Sequence, residues 1–226
     1  GEPQTLTQEE TAETIVPDYC PDIARIISAE GVVCLHGGTE QDGVTGTVRV
    51  TVLYTPENES GVRALEFAMP FSAQGEGLAG CAHVVVETEI ELLESRMLNP
   101  RKIFTRCKLV THLAGCRKVC LTISSDAETD PALLVEKRCC GQTVSLLRQV
   151  AEKDLTFSET MSLSLGREGA AELLHCRANG IVTETKAIGN KLIFKGVFLV
   201  SALYRTIGGQ LASASAELPF SQIMET

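Results

Sequence analysis

Residues 46–54 read GTVRVTVLY, and this stretch predicts the fold class of the chain. Val48, Val50 and Val52 alternate with polar residues, which is the period-2 pattern of a strand with one buried face. The stretch opens with glycine and closes with Leu-Tyr. Residues 196–204, GVFLVSALY, do the same at the same spacing. Two copies of one strand in one chain indicate an internal repeat.

The similarity between the two copies extends on both sides of this strand. Downstream, Pro-Phe-Ser at residues 70–72 corresponds to Pro-Phe-Ser at residues 219–221. The upstream matches are residues 28–33 with 177–182 and residues 12–15 with 158–161. The sequence therefore predicts a duplicated module. Its predicted parts are a first module at residues 1–130, connecting strands or a linker at 131–154, and a second, shorter module at 155–226.

A short helix is predicted within each copy. In the first copy Pro21 suits the first helical turn, Asp18 stands just before it as a cap, and Gly31 is placed to end the helix. The residues expected on one helical face are Ile23, Ile26 and Ile27. The predicted fold is mainly β, with tandem antiparallel β-sandwich-like modules that each contain one short helix.

More strands are predicted outside the repeated stretch. Residues 84–92 alternate, with Val84 to Leu92 at even positions on one face and glutamates on the other. Asn99-Pro100 breaks this run, and a new strand starts near Lys102. Gly189-Asn190 lies between two β-prone runs and predicts a tight hairpin turn.

Composition narrows the function classes. Hydrophobic residues make up 44% of the 226 residues and charged residues 22%, which is typical of a globular chain. The net charge of −9 argues against nucleic-acid binding, which needs a basic surface. No apolar run is long enough to predict a membrane span. Aromatic residues make up only 4% of the chain, and carbohydrate-binding sites usually stack aromatic rings on the sugar.

One local cluster of basic residues contrasts with the net negative charge of the chain. Its members are Arg96, Arg101, Lys102, Arg106, Lys108, Arg117 and Lys118. The simplest interpretation is a solvated strand face that balances the glutamates between positions 87 and 94.

The cysteines are numerous and odd in number. The chain has nine of them, so complete internal pairing would leave one thiol over. Buried reduced thiols are the simplest interpretation. Structural zinc is a weaker alternative, because no two cysteines show the C-x-x-C spacing of a zinc site. Disulfide crosslinking is the other alternative, with three candidate cysteines: Cys20, Cys139 and Cys140. We expect no metal and no cofactor.

Residues 15–31, IVPDYCPDIARIISAEG, carry a resemblance to a known family. This run resembles the signature of the SPOCS domain of clostridial spore-coat assembly proteins, a domain often found with LysM. Three further stretches share the resemblance: residues 46–54, 70–72 and 98–102. The second copy is similar more loosely, since it reads SLGREG where the first has PDYCPD.

The resemblance implies a role in assembling the endospore envelope. The implied partners are other spore-envelope proteins. Association of the chain with itself is a separate expectation, because a shorter second copy would leave sheet edges unpaired. The implied location is the mother-cell cytoplasm and the spore surface, coat or exosporium, while the sequence leaves export open. The candidate partner-recognition loop consists of Pro17, Asp18, Tyr19, Cys20, Pro21 and Asp22.

The chain could be an enzyme, a structural protein or a recognition module. Catalysis has little support, because no phosphate loop, nucleophile elbow or metal-binding helix motif is present. We therefore predict a non-enzymatic structural or assembly protein of the coat or an appendage. It is expected to act through protein–protein contacts or self-association, as a homo-oligomer. The alternative is a recognition module for cell-wall carbohydrate or protein that does not self-assemble.

Overall fold

The computed structural model describes residues 3–36, 43–78, 80–120 and 168–225, with a few isolated positions between 122 and 162. Every regular element in these residues is a β-strand. The strands are β1 (Gln4–Ile15), β2 (Ile23–His36), β3 (Gly43–Pro56), β4 (Arg63–Gln74), β5 (His83–Asn99), β6 (Lys102–Cys116), β7 (Ala170–Ile188), β8 (Lys191–Thr206) and β9 (Leu211–Glu225).

The strands form three antiparallel sheets of three strands each. Sheet I has the order β1-β6-β5, sheet II the order β2-β3-β4, and sheet III the order β7-β8-β9. Sheet I joins the first strand of the chain to a hairpin that lies about a hundred residues later, with Glu10 opposite Cys107. The other two sheets are meanders of consecutive strands. The mainly β prediction is confirmed.

Sheets I and II pack face to face and enclose the main core. Val48, Val50 and Val52 point inward from β3, and Ile103 and Leu109 from β6; each is at most 1% exposed. Burying a side chain of this size contributes about 1.5–3 kcal/mol to folding. The rest of the core cluster is Val16, Ile23, Tyr54, Leu65, Met69, Phe71 and Cys107. The first copy therefore contains a β-sandwich.

The two copies share one strand register. Gly46 lies opposite Phe71 in sheet II, and Gly196 lies opposite Phe220 in sheet III. In both sheets the phenylalanine ring lies over the glycine. A Cβ atom added at Gly46 would be 2.5 Å from the ring of Phe71, and one added at Gly196 would be 2.6 Å from the ring of Phe220. Glycine is thus required at both positions, which explains why the repeat begins with it.

The upstream part of the repeat is displaced in the structure. Gly31 pairs with Val50, whereas Gly180 pairs with Phe198, two residues before the counterpart of Val50 in β8. Bulges occur at different points of β2 and β7 and account for the shift. The match of residues 31–33 with 180–182 therefore holds in sequence but not in strand pairing.

The predicted helix of the first copy is wrong. Residues 23–36 form strand β2, which has bulges between Ile23 and Arg25 and between Ile26 and Ser28. A bulge adds one residue, so side chains three positions apart fall on the same side of the strand. Ile23 is fully buried and Ile26 packs against the core, while Ile27 is 49% exposed. The bulges thus place Ile23 and Ile26 on the same side of the strand, with the spacing expected of a helix.

Gly31 does not end a helix either. A Cβ atom at this position would lie 2.8 Å from Ile90 and 3.1 Å from Leu93, both on sheet I across the sandwich. Gly31 therefore makes room for the opposing sheet. In the second copy the described residues that precede residue 188 form strand β7, again without a helix.

Other strand predictions hold with one correction. The turn at Gly189-Asn190 joins β7 to β8, and Gly189 has the positive φ of 61° that such a turn needs. The break at Asn99-Pro100 and the start of a strand at Lys102 are also confirmed. In β5, however, a bulge between Ile90 and Leu92 turns Leu92 outward, and Leu93 packs on the core instead.

Several predictions fall outside the described residues. These are the connecting strands within residues 131–154 and half of the segment 158–161. The boundaries of the two modules stay a prediction. Within the described part of the chain, no helix is long and apolar enough to cross a membrane.

Candidate functional site

The candidate recognition loop, residues 17–22, connects β1 of sheet I to β2 of sheet II at one end of the sandwich. Both ends of the loop are fixed to the turn between β5 and β6. The amide of Val16 donates to the carbonyl of Arg101 at 2.9 Å, and the amide of Ile23 donates to the carbonyl of Pro100 at 2.9 Å. Within the loop, the amide of Cys20 donates to the carbonyl of Pro17 at 2.9 Å.

The side chain of Arg101 fixes the loop from inside. Its Nη1 donates to the carbonyl of Cys20 at 2.7 Å and to Asp22 Oδ1 at 3.0 Å. Its Nη2 donates to the carbonyl of Val16 at 2.8 Å and to Asp18 Oδ1 at 3.2 Å. A planar guanidinium can serve four acceptors in this way, whereas a lysine ammonium lacks the fork geometry.

The sequence did not identify Arg101 as part of the loop. Residues 15–31 and 98–102 both carry the family resemblance, and their joint presence was the one available signal. The turn itself is set by Asn99, whose Oδ1 accepts a hydrogen bond from the amide of Arg101 at 2.9 Å. The structure brings the two stretches together into one site.

The inner side of the loop rests on the core. Tyr54 is fully buried, and its hydroxyl donates to the carbonyl of Pro21 at 3.3 Å. Burial raises the pKa of Tyr54 to about 12, and the neighbouring Cys20 adds to the shift. Cys20 is half-buried and packs against the core cluster. Tyr204, which closes the equivalent strand of the second copy, is buried as well.

The outer side of the loop presents Tyr19. Its side chain is 88% exposed, although the backbone on either side is tied down. Ile15, at the end of β1, is 72% exposed, and Leu98, before the β5–β6 turn, is 44% exposed. All three belong to the end of the molecule at which the loop lies, and the loop backbone is hydrogen-bonded at both ends.

The two loop carboxylates have a structural role. Asp18 and Asp22 both bind Arg101, and Asp18 does not cap a helix as the sequence predicted, because residues 23–36 form strand β2.

The cysteines of the described residues are free thiols. They are Cys20, Cys34, Cys81, Cys107, Cys116, Cys120 and Cys176. Burial raises the pKa of the Cys107 thiol to about 11, with nearby Glu10 adding to the shift. In the same residues no group of three or more metal-binding side chains comes together. Cys139 and Cys140 lie outside the described residues, so their crosslinking stays a prediction.

Much of the basic cluster is balanced by glutamates on sheet I. Arg106 Nη2 lies 3.0 Å from Glu94 Oε2, and Lys108 Nζ lies 2.9 Å from Glu91 Oε2. Lys102 pairs with Glu13 of β1. These pairs support the interpretation of a solvated strand face.

A second polar region joins sheet III to the first module. Glu172 of β7 accepts from Arg63 of β4 at 2.8 Å and from Arg205 of β8 at 2.8 Å. Farther along β7, His175 Nε2 lies 3.2 Å from Glu30 Oε2, outside hydrogen-bond geometry. A cleft of about 960 Å³ opens beside this contact and is lined by β7 and by residues of β2, β3, β4 and β5.

Comparison with known proteins gives one match. The family model described as SipL, SPOCS domain matches residues 170–226, which form sheet III. Neither a curated protein nor a solved structure matches the chain. The match falls on the second copy, whereas the residues that carry the resemblance most closely lie in the first. The resemblance to the SPOCS domain is confirmed for residues 170–226, which match the model of this sporulation-related domain.

Proposed function

We propose that this chain is a non-enzymatic docking protein of the bacterial endospore envelope, and that it binds another envelope protein through the 17–22 loop. The observation that carries the proposal is the combination of a tied backbone with a side chain that is 88% exposed at Tyr19. Tyrosine is among the residues that contribute most to protein–protein binding. A loop already held in shape loses little entropy when it binds.

The alternative of carbohydrate binding has less support. Sugar sites stack several aromatic rings on the ligand, and Tyr19 is the only largely exposed aromatic side chain among the described residues. A protein groove that receives Tyr19 together with Ile15 and Leu98 fits this surface better.

A fluorescent fusion of the chain tests the proposal in a sporulating endospore-forming bacterium. We expect the wild type to concentrate on the forespore surface. The Tyr19→Ala variant should lose most of that enrichment, about tenfold or more, because a hot-spot truncation costs about 2 kcal/mol or more of binding. Arg101→Ala should lose part of it, since the loop is no longer fixed.

Ile188→Ala is the matched control. Ile188 is 52% exposed and is the last residue of β7 in sheet III, whereas the loop connects sheets I and II. Its fusion should localise like the wild type. A stable Tyr19→Ala fusion with undiminished forespore signal would show that the loop is not the docking site. A wild type that stays dispersed throughout sporulation would reject the envelope function itself.

A further inference from the structure

Two of the described ion pairs join strand β7 of sheet III to sheet II. We propose that they form a pH-sensitive latch, which holds sheet III against sheet II most firmly in mildly acidic solution and weakens as the pH rises through neutrality. The pairs of the latch are Glu172 with Arg63, backed by Arg205, and His175 with Glu30. This inference goes beyond the docking function and does not involve the recognition loop.

The contact at His175 depends on the charge of the ring. Nε2 lies 3.2 Å from Glu30 Oε2 without the alignment of a hydrogen bond, and it is buried with no hydrogen-bond partner among the described residues. A neutral ring therefore leaves a buried polar atom unsatisfied at this contact, which costs free energy. A protonated ring places a positive charge beside the carboxylate of Glu30, and the two attract each other. The contact is thus more stable when His175 is charged.

The other groups around His175 leave this attraction in place. The cleft beside it is lined by six further ionisable residues: Glu30, Cys34, Arg49, Glu66, Cys176 and Arg177. The two carboxylates and two guanidiniums balance in number, and in the described part of the chain the carboxylate within ion-pair distance of the ring is that of Glu30. The lining residues from β5, Thr88 and Ile90, are uncharged, and so is Leu203, which pairs with His175 on β8.

Histidine sets the upper limit of the pH range in which the latch holds. It is the side chain whose charge ordinarily changes between pH 5 and 8, whereas carboxylates and guanidiniums keep their charge there. As the pH rises through this range, His175 loses its proton and the attraction to Glu30 is lost. The hold of sheet III on sheet II should therefore weaken near neutral pH.

Glu172 sets the lower limit. Its pKa is below the usual value, chiefly because Arg205 donates a hydrogen bond to the carboxylate, and Arg63 lowers it further. A carboxylate of this kind stabilises the folded contact at higher pH and loses that contribution only as the pH falls through its folded pKa. The Glu172 pair consequently persists while the His175 pair titrates. Both pairs are formed together only between these two limits.

The exposure of the latch residues sets the size of the effect. The side chain of Glu30 is 53% exposed and that of Glu172 is 38% exposed, so solvent screens both pairs. Loss of one exposed pair changes an equilibrium by about two- to fivefold. Small polar contacts between two units of one chain also permit relative motion. The latch therefore adjusts the fraction of molecules in which sheet III is released.

The test is hydrogen–deuterium exchange of the full chain at pH 5.5 and 7.5, measured by mass spectrometry. Labelling times are scaled for the effect of pH on unprotected amides, so that the remaining difference reports the open population. In the wild type, peptides from residues 28–34 and 172–178 should exchange about two- to fivefold faster at pH 7.5. Glu30→Gln and His175→Gln should each abolish this difference, because neither variant retains the ion pair.

The matched control is His112→Gln. His112 lies on β6 of sheet I, where its Nδ1 is 3.1 Å from Thr5 Oγ1, so this variant should keep the wild-type pH difference. Circular dichroism should show all variants folded. Three results would overturn the proposal: no pH difference in the wild type, a full difference in either latch variant, or its loss in His112→Gln. Tyr19→Ala should leave the exchange of both peptides unchanged, so this test is independent of the docking function.

Discussion

Sheets II and III start from the same sequence pattern and reach different degrees of closure. In sheet II, Val48 and Met69 are at most 2% exposed beneath sheet I. In sheet III their counterparts Phe198 and Leu218 are half-buried. The repeat therefore encodes a sheet with one apolar face. How completely that face is covered depends on which other strands pack against it. The predictions below probe that contrast, beginning with the largest expected effect.

The largest expected difference between the two regions is in the rate at which their cysteine thiols react. Cys107 faces the closed sandwich with no exposed surface, and its pKa of about 11 leaves about one thiol in a thousand ionised at pH 8. Cys176 on β7 is exposed. Iodoacetamide should therefore modify Cys176 at least about a hundredfold faster, as measured by peptide mass spectrometry over time. Equal rates would mean that the sandwich opens far more readily than its packing suggests.

Truncating equivalent side chains should have unequal costs. Met69→Ala removes a buried side chain and should lower the free energy of unfolding by about 2–5 kcal/mol. Leu218→Ala, at the corresponding site of sheet III, should lower it by only about 1 kcal/mol, because Leu218 is less completely buried than Met69. Urea unfolding at about 1 µM protein measures both. Matching losses would indicate that sheet III is as well covered in solution as sheet II.

The smallest effect concerns the contact between the two regions. The pKa of Glu172 is held below its usual value, chiefly because Arg205 donates a hydrogen bond to the carboxylate. Arg63 lowers it further. A carboxylate whose pKa falls on folding stabilises above its unfolded pKa and loses that contribution as the pH drops through the folded pKa. The contact of β7 with β4 should therefore weaken below about pH 4.5, the ordinary value.

Glu172→Gln should remove this pH dependence. At neutral pH it should cost only about 0.5 kcal/mol, because the side chain is 38% exposed and solvent screens the pair. Acid titration of protease sensitivity around residue 168 reports the contact, with Glu184→Gln on the far part of β7 as control. A wild-type profile that stays flat to pH 3, or one that Glu172→Gln leaves unaltered, would contradict the assignment.

Local patterns in the sequence predicted much of the fold, and the errors have specific causes. Alternation in β3 and the Gly189-Asn190 turn depend on neighbours in sequence, so they were predictable. Ile23 and Ile26 suggested a helix because two bulges reproduce its spacing. Bulges arise from strand pairing, which a local pattern does not contain.

The candidate site was half predictable for a similar reason. The loop at 17–22 stood out through its prolines and acids, but its anchor, Arg101, lies about eighty residues away. Nothing in the spacing of either segment specifies that contact. The incomplete cover of sheet III was equally hidden, because its strands carry the same apolar pattern as those of sheet II.

The pairing of β1 with β6 also sets an order of events during synthesis. β1 has no partner until the ribosome has made residues 102–116, whereas β2, β3 and β4 can pair as soon as they emerge. At about 5–20 residues per second, this delay is on the order of 5–20 s. Glu9 and Glu13, which later pair with Arg106 and Lys102, keep the waiting strand charged. A charged strand is a poor template for aggregation, so the same glutamates protect the nascent chain before they stabilise the finished sheet.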